Sequence, residues 1–240
     1  MEKIIKPSSG YLFIFLALAG IAASIYLFTQ DMFIVGALLL FASVLCFPGF
    51  FIVEPNKAMV MLLFGKYVGT VKDYGFFWVN PFMTKKKISL RVKNFENKPV
   101  KVNDQIGNPV MIGTIVVWQV QDTFKATFDV EDYENFVHLQ TDAAVRKMAG
   151  KYPYDDFEAE NAEITLRSGV EEVNHSLELE ISERLEHAGI KVIEARISHL
   201  AYSSEIASAM LQRQQATAIV AARRKIVDGA VGMVEMALHD

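Results

Sequence analysis

Two apolar runs near the N-terminus limit what this chain can fold into. The first is Tyr11 to Phe28 and the second Met32 to Val53; only Thr29-Gln30-Asp31 separates them, and neither contains Lys, Arg, Asp or Glu. At a rise of about 1.5 Å per residue the first run reaches roughly 27 Å as a helix, close to a hydrocarbon core of about 30 Å. The pair predicts an N-terminal transmembrane helical hairpin over residues 11–53 that returns the chain to the side it left. Pro48-Gly49 ends or kinks the second helix after Phe47. Two readings stay open: two full spans, or a re-entrant hairpin. The re-entrant form has to bury Gln30 and Asp31 in lipid, at about 2.5–3.5 kcal/mol for a central Asp, which favours two spans. The first run is longer than a signal-peptide core and a second follows at once, so it reads as a retained anchor.

Lys3 and Lys6 precede the first run, Lys57 and Lys66 follow the second, and the link carries Asp31 without a base. The positive-inside rule then predicts that both ends and the whole polar part lie in the cytoplasm. The expected organisation is a cytoplasmic N-terminus over 1–10, the hairpin over 11–53, a polar domain over 54–202 and a helical tail over 203–240. The mean hydropathy of +0.23 is pulled up by the hairpin, so the remainder is ordinary soluble composition. A net charge of -4 and a pI near 5.8 argue against a nucleic-acid partner. The single cysteine, Cys46, builds neither a disulfide framework nor a Cys-based metal site.

The polar part begins with strands. Ala58 to Phe64 is an apolar β-prone run stopped by Gly65, and Ile88 to Val92 alternates as a half-buried strand does. Val100 and Val102 suggest another strand. Asn103 to Pro109 is rich in turn formers, and in Val110 to Val120 the residues Val110, Ile112, Thr114, Val116, Trp118 and Val120 share one face. A helix capped by Asp129 follows, with Tyr133, Phe136, Val137, Gln140, Ala144 and Met148 at helical spacing and Gly150 as its end. A longer helix is predicted from Asn161, with Leu166, Val170, Val173, Leu177, Ile181, Leu185 and Ala188 as its stripe and Gly189 as its left-handed stop. Ile190 to Leu200 reverts to a strand. The expected class is α+β, a small antiparallel sheet with packed helices.

From Ser203 onward no Gly or Pro appears before Gly229, which predicts one long helix of about 35 residues. Alternate steps of four and three give an apolar seam that includes Val220, Val227, Val231, Val234 and Leu238, the pattern of coiled-coil association. A lone amphipathic helix docked on its own domain is the competing reading.

Val53-Glu54-Pro55-Asn56, Phe64-Gly65-Lys66-Tyr67 with Gly69-Thr70-Val71, and Gly75-Phe76-Phe77-Trp78-Val79-Asn80-Pro81-Phe82 resemble the opening of the SPFH (band 7) domain of stomatins, prohibitins and flotillins. The Val110–Val120 strand, Asp129-Val130-Glu131-Asp132-Tyr133, Gly189-Ile190-Lys191-Val192-Ile193-Glu194 and Gln212-Arg213-Gln214-Gln215-Ala216 resemble its later segments. The order of these pieces along the chain is the specific part. The resemblance implies a non-catalytic membrane-anchored scaffold that forms a large homo-oligomer, a ring or cage, in a bacterial inner membrane. It also implies that such a scaffold encloses or organises a membrane patch and regulates a resident membrane protease or channel. Two departures stand out. Many relatives have one span or a single re-entrant hairpin, and relatives usually continue beyond the point where this chain stops at Asp240.

No residues ask for chemistry. The five histidines form no metal-ligand spacing, no G-x-S-x-G elbow is present, and Gly65–Gly69 lacks the Lys-Ser/Thr of a P-loop. No cofactor is expected. Asp155, Asp156, Glu158, Glu160 and Glu163 read as a solvated loop and helix start. Lys85, Lys86 and Lys87 follow closely on Phe76, Phe77, Trp78 and Phe82, which suggests aromatics at a membrane interface and ammonium groups on anionic headgroups, each worth about 1 kcal/mol. Buried aromatics beside a solvated lysine edge are the competing reading. An accessory subunit of a channel or transporter, and a membrane-bound hydrolase, are the alternative functions. The first asks for polar residues in the apolar runs, which offer Ser24 and Ser43; the second asks for a nucleophile with its base.

Overall fold

The computed structural model describes residues 2–155 and 164–239. In chain order the elements are β1 (Ser8–Ser9), α1 (Gly10–Thr29), α2 (Phe33–Leu45), a 3-10 turn (Phe47–Gly49), β2 (Phe50–Val53), β3 (Lys57–Leu63), β4 (Lys66–Val71) and β5 (Gly75–Trp78). There follow β6 (Met83–Ser89), β7 (Lys93–Glu96), β8 (Val100–Asn103), β9 (Pro109–Val120), α3 (Thr123–Phe128), α4 (Tyr133–Ala149), α5 (Val170–Glu186), β10 (Ile190–Tyr202) and α6 (Ala207–His239). This is an α+β chain. It divides into two compact units, one of Met1–Phe95, Val116–Thr141 and Glu178–Ala195, the other of Glu96–Ile115, Asp142–Leu177 and Arg196–Asp240.

In the first unit, α1 and α2 lie antiparallel. Small residues let them approach: a Cβ at Gly20 would meet Ser43 Oγ at 2.4 Å, and one at Gly36 would meet the Ser24 carbonyl at 3.3 Å. Ser24 Oγ donates to the Gly36 carbonyl at 2.7 Å and Ser43 Oγ to the Leu39 carbonyl at 2.8 Å, so both buried hydroxyls are satisfied inside the pair. The outward residues, among them Phe15, Leu18, Ile25, Ile34, Leu38 and Phe41, are all exposed. Of the two helices, α1 is long and apolar enough to cross a membrane. The second apolar run divides into the 13-residue α2, the 3-10 turn and β2. A continuous second helix over Met32–Val53 is not formed: Pro48 takes the early position of the 3-10 turn, and Phe50 is already extended.

The chain enters and leaves this pair through one sheet of order β1-β5-β2. Ser8 and Phe50 both lie opposite Trp78, and Ser9 and Phe51 both lie opposite Phe77. A second antiparallel sheet, β4-β3-β6, packs beside it; Phe51, Val53, Met59, Met61, Val71 and Val79 form the shared core. The N-terminal segment is tied to this unit as well. Ile5 N–H donates to the Thr70 carbonyl at 3.0 Å, Thr70 N–H to the Lys3 carbonyl at 2.8 Å, and a Glu2 carboxylate oxygen accepts from Thr123 Oγ1 at 2.6 Å. Gly69 leaves room for this strap, since a Cβ there would meet Ile5 Cγ2 at 2.6 Å.

Several helix and strand ends differ from the sequence reading. The alternation seen in Ile88–Val92 straddles the end of β6; Leu90 N–H is used by the Asn56 carbonyl, and Val92 is exposed. Asp129 closes the short α3 at its C-terminus, and the cap of α4 is Asp132, whose Oδ1 accepts from Glu134 and Asn135 N–H. The short α3 was not foreseen; Asp122 caps it by accepting from Phe124 and Lys125 N–H. Asn161 lies outside the described residues. The segment before α5 is turned rather than helical, because Thr165 Oγ1 accepts from Ser168 N–H, so Leu166 is buried ahead of the helix rather than on its stripe. The β9 face reads as expected, with Val110, Ile112, Thr114, Val116, Trp118 and Val120 all buried.

In the second unit, β8 and β9 form a hairpin, Val100 opposite Ile112 and Asn103 opposite Pro109. The buried Asp104 organises its turn by accepting from the N–H groups of Ile106, Gly107 and Asn108, and it takes Tyr154 N–H as well. Asp155, expected in a solvated loop, is buried and accepts the Tyr202 hydroxyl at 3.0 Å; Gln214 of α6 donates to the same oxygen at 3.4 Å. The rest of that acidic run, 156–163, lies outside the described residues. The Tyr202 hydroxyl is pushed above its ordinary pKa, by burial first and then by this carboxylate.

Gly189 sits at φ +68, as the left-handed stop after α5 requires, and a Cβ there would lie 2.6 Å from the Asp122 carbonyl. Gly189→Ala therefore destabilises by about 2 kcal/mol or more. Gly229→Ala, in an open helical position, stabilises by up to about 1 kcal/mol. Thermal unfolding midpoints of the two variants in the same detergent should move in opposite directions.

Candidate lipid-facing collar and self-association face

Trp78 gathers the foot of the helical pair. Its ring stacks on Phe13 of α1 with centroids 3.8 Å apart and planes 5° apart, and its Nε1–H donates to the Cys46 carbonyl at the end of α2 at 2.9 Å. That carbonyl is one of the orphan acceptors a helix end leaves over. Gly49 is what allows the approach, since a Cβ there would lie 2.4 Å from Trp78 Nε1. Phe76 continues the collar, stacked on Phe50 at 5.4 Å and edge-on to Tyr11 at 5.4 Å. Phe77 meets Phe51 on the core side. Phe76, Phe77 and Trp78 are thus half-buried, while Phe82 is 58% exposed.

The three lysines do three different things: β6 turns Lys86 to the face opposite Lys85 and Lys87, and those two meet different neighbours along the strand. Lys85 Nζ donates to the Pro48 carbonyl and lies 5.6 Å from the Phe51 ring; burial there holds its ammonium below the ordinary pKa. Lys86 points to the other face and is exposed, with no ion pair among the described residues. Lys87 joins Lys57 on Glu54, and their hydrogen bonds lower the Glu54 carboxyl from 4.5 to about 2.

The seam residues of α6 are open. Val220, Val227, Val231 and Val234 are each at least half exposed, and Leu211, Ile219, Ile226, Met233 and Met236 are exposed with them. The Leu238 side chain lies outside the described residues. A 33-residue helix is about 50 Å long, and among the described residues this apolar surface on it is left uncovered.

The sequence reading missed Phe64. It sits in the β3–β4 turn at φ +49, 84% exposed, and stacks on Phe82 with centroids 6.3 Å apart. The signal in the sequence is Phe64-Gly65 between two β-prone runs, which marks Phe64 as a turn residue as readily as the end of a strand. Among the described residues no group of three His, Cys, Asp or Glu is placed to hold a metal ion.

The profile of the SPFH domain / Band 7 family matches residues 51–227, beginning in β2 directly below the helical pair and ending within α6. Among curated proteins, an uncharacterized protein of Methanothermobacter thermautotrophicus (strain Delta H) is 25% identical over 174 residues, covering 72% of this chain and 52% of that protein. The chain spans about half the length of the curated relative it matches.

Two outcomes follow from this geometry. Trp78→Ala removes a ring shared by α1, α2 and β5 and should cost about 2–3 kcal/mol, less than the roughly 3–5 of a fully buried Trp; near-UV circular dichroism on heating measures it. Glu54 contributes stability that is present above its unfolded pKa and is lost as pH falls from about 4.5 toward about 2. An acid titration of unfolding should therefore be flatter in that window for Glu54→Gln.

Proposed function

The chain belongs to the SPFH domain / Band 7 family, and from that premise we propose that it is a non-catalytic oligomeric membrane scaffold. The observation that carries this reading is that, among the described residues, two apolar surfaces are left uncovered, the outside of the α1–α2 pair and the face of α6. Lipid covers the first and further copies of the chain cover the second. The copies form a large homo-oligomer, a ring or cage, that organises or encloses a patch of membrane and regulates resident proteins such as a protease or a channel. Val220, Val227, Val231, Val234 and Leu238 are the residues assigned to self-association.

Membrane lipids are the other partner. Phe76, Phe77, Trp78, Phe82, Lys85, Lys86 and Lys87 are assigned to the interface, where aromatic rings and ammonium groups are at home. The polar part is assigned to the cytoplasmic side of an inner membrane. Lys3, Lys6, Lys57 and Lys66 support that orientation, and the ties of Glu2, Lys3 and Ile5 to Thr70 and Thr123 support a common side for both ends of the helical pair. The family is typically non-catalytic, in keeping with this reading. A subunit of a channel or transporter is less well supported, because Ser24 and Ser43 spend their hydroxyls on carbonyls inside the pair.

Light scattering and negative-stain microscopy of the detergent-extracted full chain test the proposal. The wild type should form very large, closed particles. Val227→Asp with Val234→Asp should reduce them to small species with unchanged circular dichroism. A small wild-type complex, or particles that keep their size in the variant, overturns the scaffold or its α6 seam respectively.

A further inference from the structure

Phe64 stands where the fold has no use for a phenyl ring. Phe64 and Gly65 both have positive φ, the turn geometry that Asn-Gly or Asp-Gly suits best, and Phe64 offers no side-chain hydrogen bond to the turn. Its ring is absent from the core of this unit and touches another exposed ring, that of Phe82. In water both rings are left largely unshielded.

Their position supplies the reason. The turn that carries Phe82 is bonded to the foot of α2: Val79 N–H donates to the Gly49 carbonyl at 3.1 Å, and Lys85 Nζ reaches the Pro48 carbonyl. Strand pairing sets Met83 opposite Leu63, which brings the Phe64 turn to the same end of the sheet. Phe47, itself 44% exposed, lies in the 3-10 turn at that foot. The 13 residues of α2 rise about 20 Å, short of a hydrocarbon core of about 30 Å, so an apolar layer below the helix lengthens the band that lipid can cover.

We propose that Phe64 and Phe82 form a second membrane contact, inserted among the acyl chains of the leaflet that receives the foot of α2. The exposed Lys66 beside the turn then meets the headgroups. The sheet domain is thereby held at two points, the helical pair and this turn, so its tilt against the membrane is set. This rests on the reading of α1 and α2 as a membrane anchor.

The test uses the full chain, with Cys46→Ser as background, in vesicles of phosphatidylcholine and phosphatidylglycerol. A fluorophore on Phe64→Cys should shift to the blue, lose most of its emission to a lipid bearing a nitroxide on its acyl chain, and ignore aqueous iodide. The same fluorophore on Tyr74→Cys, exposed beyond the other end of β4, should respond in the opposite way. Because the first variant removes a ring, a label on Lys66→Cys provides the second reading: it should be quenched by the nitroxide lipid and lose that quenching when Phe64→Asn and Phe82→Asn are added. Iodide quenching at position 64, or quenching at position 66 that ignores the two Asn substitutions, overturns the proposal while the chain stays with the vesicles. A chain that alkaline carbonate washes off the vesicles overturns the anchor reading instead.

Discussion

The contact of Trp78 with both apolar helices joins them to the sheet of the first unit. Two helices that bury only small residues against each other have little to fix their direction once they leave the sheet. The Trp78 ring supplies that by stacking on Phe13, while its Nε1–H satisfies the Cys46 carbonyl that α2 leaves over. The strands on either side of β5 depend on the same residue, since Ser8 and Phe50 both lie opposite it. An apolar hairpin and a water-compatible sheet thus meet at one amphipathic side chain, whose body is apolar and whose single donor is used.

Charge around that joint is arranged by depth. Lys85 lies against the Phe51 ring and the Pro48 carbonyl, while two positions further along β6 Lys87 meets Glu54 and Lys57 in the open. A run of three lysines would suggest one basic patch, but strand alternation turns Lys86 to the opposite face, and Lys85 and Lys87, on one face, meet different partners: a carbonyl and ring for the first, a carboxylate for the second. Exposed pairs such as those of Glu54 contribute little by themselves. They do hold that carboxylate charged well below its ordinary range.

The helix α6 carries the second unsatisfied demand. Its apolar residues are exposed along its length, and Gln214 near its start is tied to the buried Asp155, which also holds Tyr202. The match to the SPFH domain / Band 7 family runs from β2 into this helix.

Periodicity and composition sufficed for what depends on neighbours along the chain. The first apolar helix, the turn at Pro48-Gly49, the buried face of β9, the left-handed Gly189 and the long uninterrupted α6 all follow from local pattern, because burial face, backbone freedom and helix propensity are set within a few residues. Long-range pairing decided the rest. Asp129 and Asp132 are equivalent as caps until the unforeseen α3 occupies the first of them. Asp155 looked solvated until Tyr202 and Gln214 closed over it. Phe64 reads as the last residue of an apolar β-prone run, but β3 ends at Leu63 and leaves Phe64 in the turn, next to Phe82. A sequence shows that a residue is apolar or charged; whether water, lipid or another side chain faces it is fixed by residues far away in the chain, and only the tertiary structure brings those together.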